Sequence, residues 1–433
     1  MAKRQSSHTP DQQARFQPEE TADGRSPEER DRDRILYSTS FARLAEITQV
    51  VSPERGYIFH NRLTHSLKVA QISRRTAERL LREQPDDIDA VGGLDPNVAE
   101  AAGLAHDLGH PPFGHIAEYE LNELTTAAGA GDGFEGNAQS FRIVVELATS
   151  DARSSQDLLI PGLNLTQATL HSILKYPWKR GRQEPSSKKW GYYSNEADVF
   201  AWVTQGQPPK QRSLAAEIMD WADDITFAIH DLLDFYCAGK IPIDRCKQPG
   251  SAEFNRMLAG MFKRKPDWKK SADDYTEALK AIVENFPIEA HQQYTDSPDD
   301  RARLFAFSTG LIRYFVEAIR VRSREKTAGP LAEVDPEVRR IVEILKQFIW
   351  EYVIQSPDLT VPQQGQRLAI RTVFNRLLKA AQEKQWYAFP PGYRSVISDA
   401  NAKADRARVV ADCISGMTEK ELLHLYRCGE GIS

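Results

Sequence analysis

Cysteine is scarce in this chain. Its 433 residues include four, Cys237, Cys246, Cys413 and Cys428. None belongs to a Cys-x-x-Cys pair, which excludes a zinc ribbon and a disulfide framework and points to a reducing, cytoplasmic setting. Long apolar runs are missing as well. Nothing approaches the ~20 residues of a membrane span, and the N-terminus carries no apolar signal segment, so no membrane partner is expected. Net positive charge is absent: the formal charge is −5, which gives no global signal for nucleic acid. Glycine-rich phosphate loops, strand-like alternation and internal repeats are not found.

What remains is a helical pattern. Hydrophobic residues make up 41% of the chain, enough for a packed core in one large domain or two to three smaller ones. Residues 1–30 are polar and nearly free of aliphatic side chains, so they read as a disordered tail. Order is expected to begin at Asp31-Arg32-Asp33-Arg34-Ile35. Residues 31–240 form a core, and residues 241–433 a helical part packed on it. Helical apolar spacing recurs over Ser213–Tyr236, Arg301–Arg322, Pro336–Ile354, Gln366–Glu383 and Ala404–Tyr426.

The chemistry concentrates in Ala105-His106-Asp107-Leu108-Gly109-His110-Pro111-Pro112-Phe113-Gly114-His115, which holds three of the ten histidines. Adjacent imidazole and carboxylate are costly to bury without a partner, and together they suit a divalent metal. The apolar lead-in Ala101–Ala105 reads as a buried helix that delivers His106-Asp107 to its end, before Gly109 and Pro111-Pro112 break it. The lone His171, His291 and His424 read instead as ordinary core or surface residues.

Around this stretch lie further polar residues. Arg62 and His65 are three apart, hence on one side of a helix that includes both. Arg62 is either a surface ion-pair partner or a donor to phosphate. Gln49, beside two valines, is either a strand or loop residue or points into a pocket. Glu118 follows His115 by three, a spacing that makes a proton-transfer pair. A helix entered at Gly162–Thr166 is expected to run to Lys175-Tyr176-Pro177, and the basic segment Lys179–Lys189 reads as a solvated loop; Lys175, Lys188 or Lys189 could instead reach phosphates. Asp223, Phe227 and Asp231 recur every four residues, which on a regular α-helix makes one stripe rising ~12 Å. Such a stripe lines a pocket wall, with metal at one end and a sugar at the other. Asp220, Asp224 and Asp234 read as a solvated face.

In their order along the chain these segments are similar to those of one family. Asp31–Ile35, Thr48-Gln49-Val50, Arg62–Leu67, His106–His115, Phe134–Gln139, Gly162–Thr166, Lys175-Tyr176-Pro177, Ala222–Ile225 and Asp412–Thr418 together resemble the HD-superfamily deoxynucleoside triphosphate triphosphohydrolases, the dGTPase-like proteins. The resemblance covers roughly residues 31–427. It implies an all-α HD-domain fold with a C-terminal helical extension. It implies a metal held by His65, His106, Asp107 and Asp223, whose identity among Mn, Mg, Co, Fe or Zn the sequence leaves open. It implies proton transfer by His110, His115 and Glu118, a phosphate contact from Arg62, and weaker ones from Lys175 and Tyr176. Gln49 and Asp231 match contacts to the deoxyribose hydroxyl.

The implied reaction turns a dNTP into deoxynucleoside and inorganic tripolyphosphate. A homo-oligomer, and a nucleotide or single-stranded DNA effector, are implied as well. Two departures stand out. Phe227 occupies a position where the family usually has tyrosine, and Ala42 and Glu46-Ile47 replace a more basic pattern before Thr48. The competing readings are another HD nucleotide phosphohydrolase, or a nucleotide sensor or nucleic-acid binder without activity.

Overall fold

A computed structural model describes residues 8–19, 23–49, 60–181, 188–289, 292–322 and 329–429. His291 lies outside the described residues. The fold is all-α, with one two-stranded antiparallel pair, β1 (Ile319–Val321) and β2 (Ala332–Val334). β1 falls inside a segment expected to be helical to Arg322, where the helix Pro298–Glu317 ends five residues earlier, and β2 lies in the stretch before Pro336. Only three residues form each strand, too few for alternation to stand out in the sequence.

The centre is built from three helices. Arg62–Glu83 and Pro96–Ala105 lie side by side, and Leu214–Thr226 packs on both. The first two approach tightly at Gly103, where an added Cβ would come within 2.5 Å of the Ala70 Cα. Only glycine lets the two backbones meet at that distance. Val69, Ile72, Val98, Ala102, Ile218 and Ile225 form part of the largest apolar cluster, which continues into the helix Pro336–Ile349. A second cluster packs His115–Ala127 against Pro357–Gln382, Lys403–Ser415 and Glu419–Gly429.

The C-terminal helices are tied to the core by a buried charge cluster. Arg142 donates to both Asp412 carboxylate oxygens (2.9–3.0 Å) and to Glu196 (2.5 Å), and Gln139 donates to Asp412 (3.0 Å). Breaking such a pair by removing one partner leaves a buried charge, a loss on the order of 3–5 kcal/mol. The expected helix Ala404–Tyr426 is divided at Gly416-Met417-Thr418, where Thr418 caps the second half by accepting from the Glu421 N–H.

Part of the stretch read as a tail is ordered. Pro10–Gln13 is a short helix with a Thr9 capping box, and the first long helix begins at Pro27, capped by Ser26. Arg15 is buried against Asp31 at 2.7 Å. Composition could not reveal this, because the stretch is held by ion pairs and caps, not by an apolar face.

Candidate active site

His106 caps the C-terminal end of the Pro96–Ala105 helix. It lies within hydrogen-bond distance of the Gly103 carbonyl through Nδ1 (2.8 Å), so Nδ1 carries the proton and Nε2 presents a lone pair. That Nε2 is buried and has no hydrogen-bond partner among the described residues. Two carboxylates face it, Asp107 Oδ1 at 3.5 Å and Asp223 Oδ1 at 3.8 Å. His65, from the first turn of the Arg62–Glu83 helix, lies 3.1 Å from Asp223 Oδ1. One ligand atom each from His65, His106 and Asp107 falls within 4.8 Å of the others. Two imidazoles and two carboxylates, with a buried lone pair aimed between them, fit a divalent cation.

Charges around the site hold the carboxylates ionised. Burial alone would raise the Asp107 pKa, but the positive charge beside it, Arg62 included, outweighs burial and holds it far below the ordinary range. Arg62 donates to Asp107 Oδ2 at 2.7 Å. Asp223 is likewise held low against burial, chiefly by Lys175, which donates to it at 3.0 Å, and by His65. Burial keeps His65 and His110 on the neutral side, despite nearby carboxylates.

A second cluster adjoins the first. His110 and His115 rings stand 5.0 Å apart, and His110 Nε2 is 3.4 Å from Asp107 Oδ1. Gly136 makes room for His110: a Cβ there would lie 2.4 Å from its Nδ1. His115, the first residue of its helix, meets Glu118 at 2.9 Å, the i, i+3 contact the spacing predicts. Burial would raise the Glu118 pKa, but His115, Lys189 and His110 hold it well below its usual value. The His115 side chain is 70% exposed.

The remaining positions divide. Gln49 Oε1 and Asp231 Oδ2 are buried and without a hydrogen-bond partner among the described residues. Burial, with Asp234 and Asp223, raises the Asp231 pKa well above the carboxylate range. Lys175 is ion-paired to Asp220 (2.7 Å) and Asp223 (3.0 Å), and Tyr176 is half-buried beside Trp178. Phe227 departs from the expected stripe. Residues Phe227–Asp231 form a π turn inside the helix, so the every-four spacing no longer keeps one face. Phe227 packs on the largest apolar cluster with part of its ring left open.

Asp220, Asp224 and Asp234 do not form a solvated face. They pair with Lys175 and Arg212, with Lys346, and with His60.

Residues 62–228 match the HD domain, and residues 332–428 match the phosphohydrolase-associated domain. The chain is 35% identical over 427 residues to the deoxyguanosinetriphosphate triphosphohydrolase-like protein of Corynebacterium efficiens, covering 95% of this chain and 93% of that one. The protein of the same name from Streptomyces coelicolor is 33% identical over 431 residues, covering 95% of each. That from Bifidobacterium longum is 30% identical over 416 residues, covering 92% of this chain and 82% of its own. The chain belongs to the deoxyguanosinetriphosphate triphosphohydrolase-like family of HD proteins.

Lys189, read from the sequence as a solvated loop residue or a phosphate contact, and Glu135 join the site of this HD protein through ion pairs that the sequence did not indicate. Lys189 bridges Glu118 (2.7 Å) and Glu135 (3.0 Å). Burial raises Glu135 to about 7, with Lys189 opposing and Glu118 reinforcing. Glu135 lies in the quoted segment Phe134–Gln139, where its capping of the next helix was the only local signal. No described helix of this HD protein is long and apolar enough to cross a membrane.

Proposed function

We propose that this protein hydrolyses deoxynucleoside triphosphates between the α-phosphorus and the 5′ oxygen, releasing deoxynucleoside and tripolyphosphate. The observation that carries this reading is the pairing of the metal-type group with two buried acceptors that have no hydrogen-bond partner among the described residues, Gln49 Oε1 and Asp231 Oδ2. Buried polar atoms normally find partners, so these two await a donor such as a sugar hydroxyl.

His65, His106, Asp107 and Asp223 would hold the divalent cation. When bound it neutralises phosphate charge and makes water more acidic. The protein's own groups do the rest. Arg62 and Lys175 bring cations beside the carboxylates, where an incoming phosphate chain would meet positive charge. Ionised Glu118 accepts from His115 Nδ1–H and orients the ring. When both ring nitrogens carry a proton, His115 can give the one not bonded to Glu118 to the departing 5′ oxygen. His110, kept neutral by burial beside Asp107, orders the water side of the same centre.

Purified protein incubated with each dNTP and a divalent metal should release tripolyphosphate, detected by phosphorus NMR. Orthophosphate or pyrophosphate as the primary product rejects the reading. Activity that survives full chelation rejects the metal role.

A further inference from the structure

Two loops that carry site residues end on one side chain from the far end of the chain. Glu419, the first residue of the last helix, is half-buried and reaches back into the HD core. Its Oε1 accepts from the Thr48 backbone N–H (2.8 Å) and from the Phe113 backbone N–H (3.3 Å). Its Oε2 accepts from the Thr48 hydroxyl (2.9 Å). Thr48 immediately precedes Gln49. Phe113 precedes Gly114, which caps the helix bearing His115 and Glu118.

Phe113 holds φ at +68°, a left-handed backbone conformation rare for a bulky side chain. Such a conformation is strained and persists only where the surroundings impose it. A charge-assisted hydrogen bond on the Phe113 N–H is one such restraint. A second tie runs beside it. Buried Arg43 donates to the Leu108 and His110 carbonyls (2.7 and 2.9 Å) and to the Met417 carbonyl (3.1 Å). The His110–Phe113 loop is therefore anchored to Met417–Glu419 at both ends.

We propose that Glu419 is a positioning residue, which sets the sugar-side loop and the proton-transfer helix in register. This rests on reading Gln49 as a sugar contact and His115 with Glu118 as the proton pair. Among the described residues, Glu419 is the one side chain bonded to both Thr48 and Phe113, and Arg43 adds a second tie through the His110 and Met417 carbonyls. The reach of Glu419 across 371 and 306 residues also gives the C-terminal region a chemical task at the site. That region matches the phosphohydrolase-associated domain, and the task would require it to be folded against the HD core for turnover.

Glu419→Ala and Glu419→Gln are compared with the unmodified full chain, with a saturating divalent metal. Glutamine keeps a carbonyl oxygen for the two backbone donors, and its amide can donate to the Thr48 hydroxyl. Glu419→Ala should speed deuterium exchange in peptides spanning Thr48 and Phe113 at least about ten-fold, with a cooperative melt retained. It should also lower kcat roughly 10–100-fold and raise KM for a dNTP, since small misplacements of reacting groups carry losses of that size. Glu419→Gln should restore exchange, kcat and KM to within a few-fold.

Unchanged exchange in the alanine variant overturns the proposal. So does faster exchange with unaltered kcat and KM, or a glutamine variant as impaired as alanine. Should the alanine variant not fold, Thr48→Val takes its place and should raise KM about two- to ten-fold; an unaltered KM there overturns the proposal. If the unmodified protein hydrolyses no dNTP, the proposed function fails, and the exchange comparison alone judges the tether.

Discussion

His65 Nε2 and Asp223 Oδ1 stand 3.1 Å apart although 158 residues separate them in the chain. Each comes from a different helix of the central three, and His106 and Asp107 approach the same point from the third. Removing one donor should therefore lower affinity for the cation and not merely rearrange a surface. Asp107→Ala and His106→Ala are expected to lose bound metal and dNTP hydrolysis together, as read by elemental analysis beside a product assay. Full metal content in the Asp107 variant would show that the ligand set is wrong.

The neighbouring pair should behave differently. His115→Ala and Glu118→Ala leave His65, His106, Asp107 and Asp223 in place, so metal content should hold. Their rate should fall ~10²–10⁴-fold, the usual range for general acid–base groups. Single-turnover kinetics at saturating dNTP checks this. Metal lost along with rate would assign His115 or Glu118 to the cation instead.

Phe227 offers a sharper comparison. It starts the π turn between Asp223 and Asp231 and rests on the apolar cluster with part of its ring open. If that open edge borders the substrate, Phe227→Tyr adds a donor and raises kcat/KM for dNTPs by about 10-fold or more, the worth of one hydrogen bond to a charged group. Phe227→Ala should lower kcat/KM and relax discrimination against ribonucleotides. If the added hydroxyl is buried without a partner, the melting temperature falls and substrate preference stays the same. A thermal melt run beside the kinetics separates the two outcomes, and the second one would remove Phe227 from the pocket.

Stability should depend on pH through His230. Burial, with Lys68, His60 and His65, lowers its pKa to about 3. The folded pKa then lies below the unfolded value of about 6.5. Between those values the unfolded chain binds the extra proton, so acid favours unfolding. The contribution is fully present above about pH 6.5 and is lost as pH falls toward about 3. Urea unfolding should lose about 2 kcal/mol from this group between pH 7 and pH 5. His230→Gln should flatten that slope; an equally steep slope in the variant would locate the acid sensitivity elsewhere.

Much of this protein was legible without tertiary structure, for local reasons. The His106-Asp107 pair stands out because adjacent imidazole and carboxylate are rarely buried in an ordinary core. The apolar run before it ends where Gly109 and the Pro111-Pro112 pair forbid a helix, and the helix does end at Ala105. The i, i+3 spacing of His115 and Glu118 needs only a helix to become a contact.

Tertiary structure decided the rest. Lys189 meets Glu118 across 71 residues, and Glu419 meets Phe113 across 306. A lysine in a basic loop or a glutamate opening an amphipathic helix has an ordinary solvated reading, and nothing local marks its partner. The same holds for Asp220, Asp224 and Asp234, whose partners lie on other elements. Phe227 depended on a single backbone irregularity. Its spacing describes a regular α stripe, but the π turn Phe227–Asp231 breaks that stripe before Asp231, and Phe227 rests on the apolar cluster.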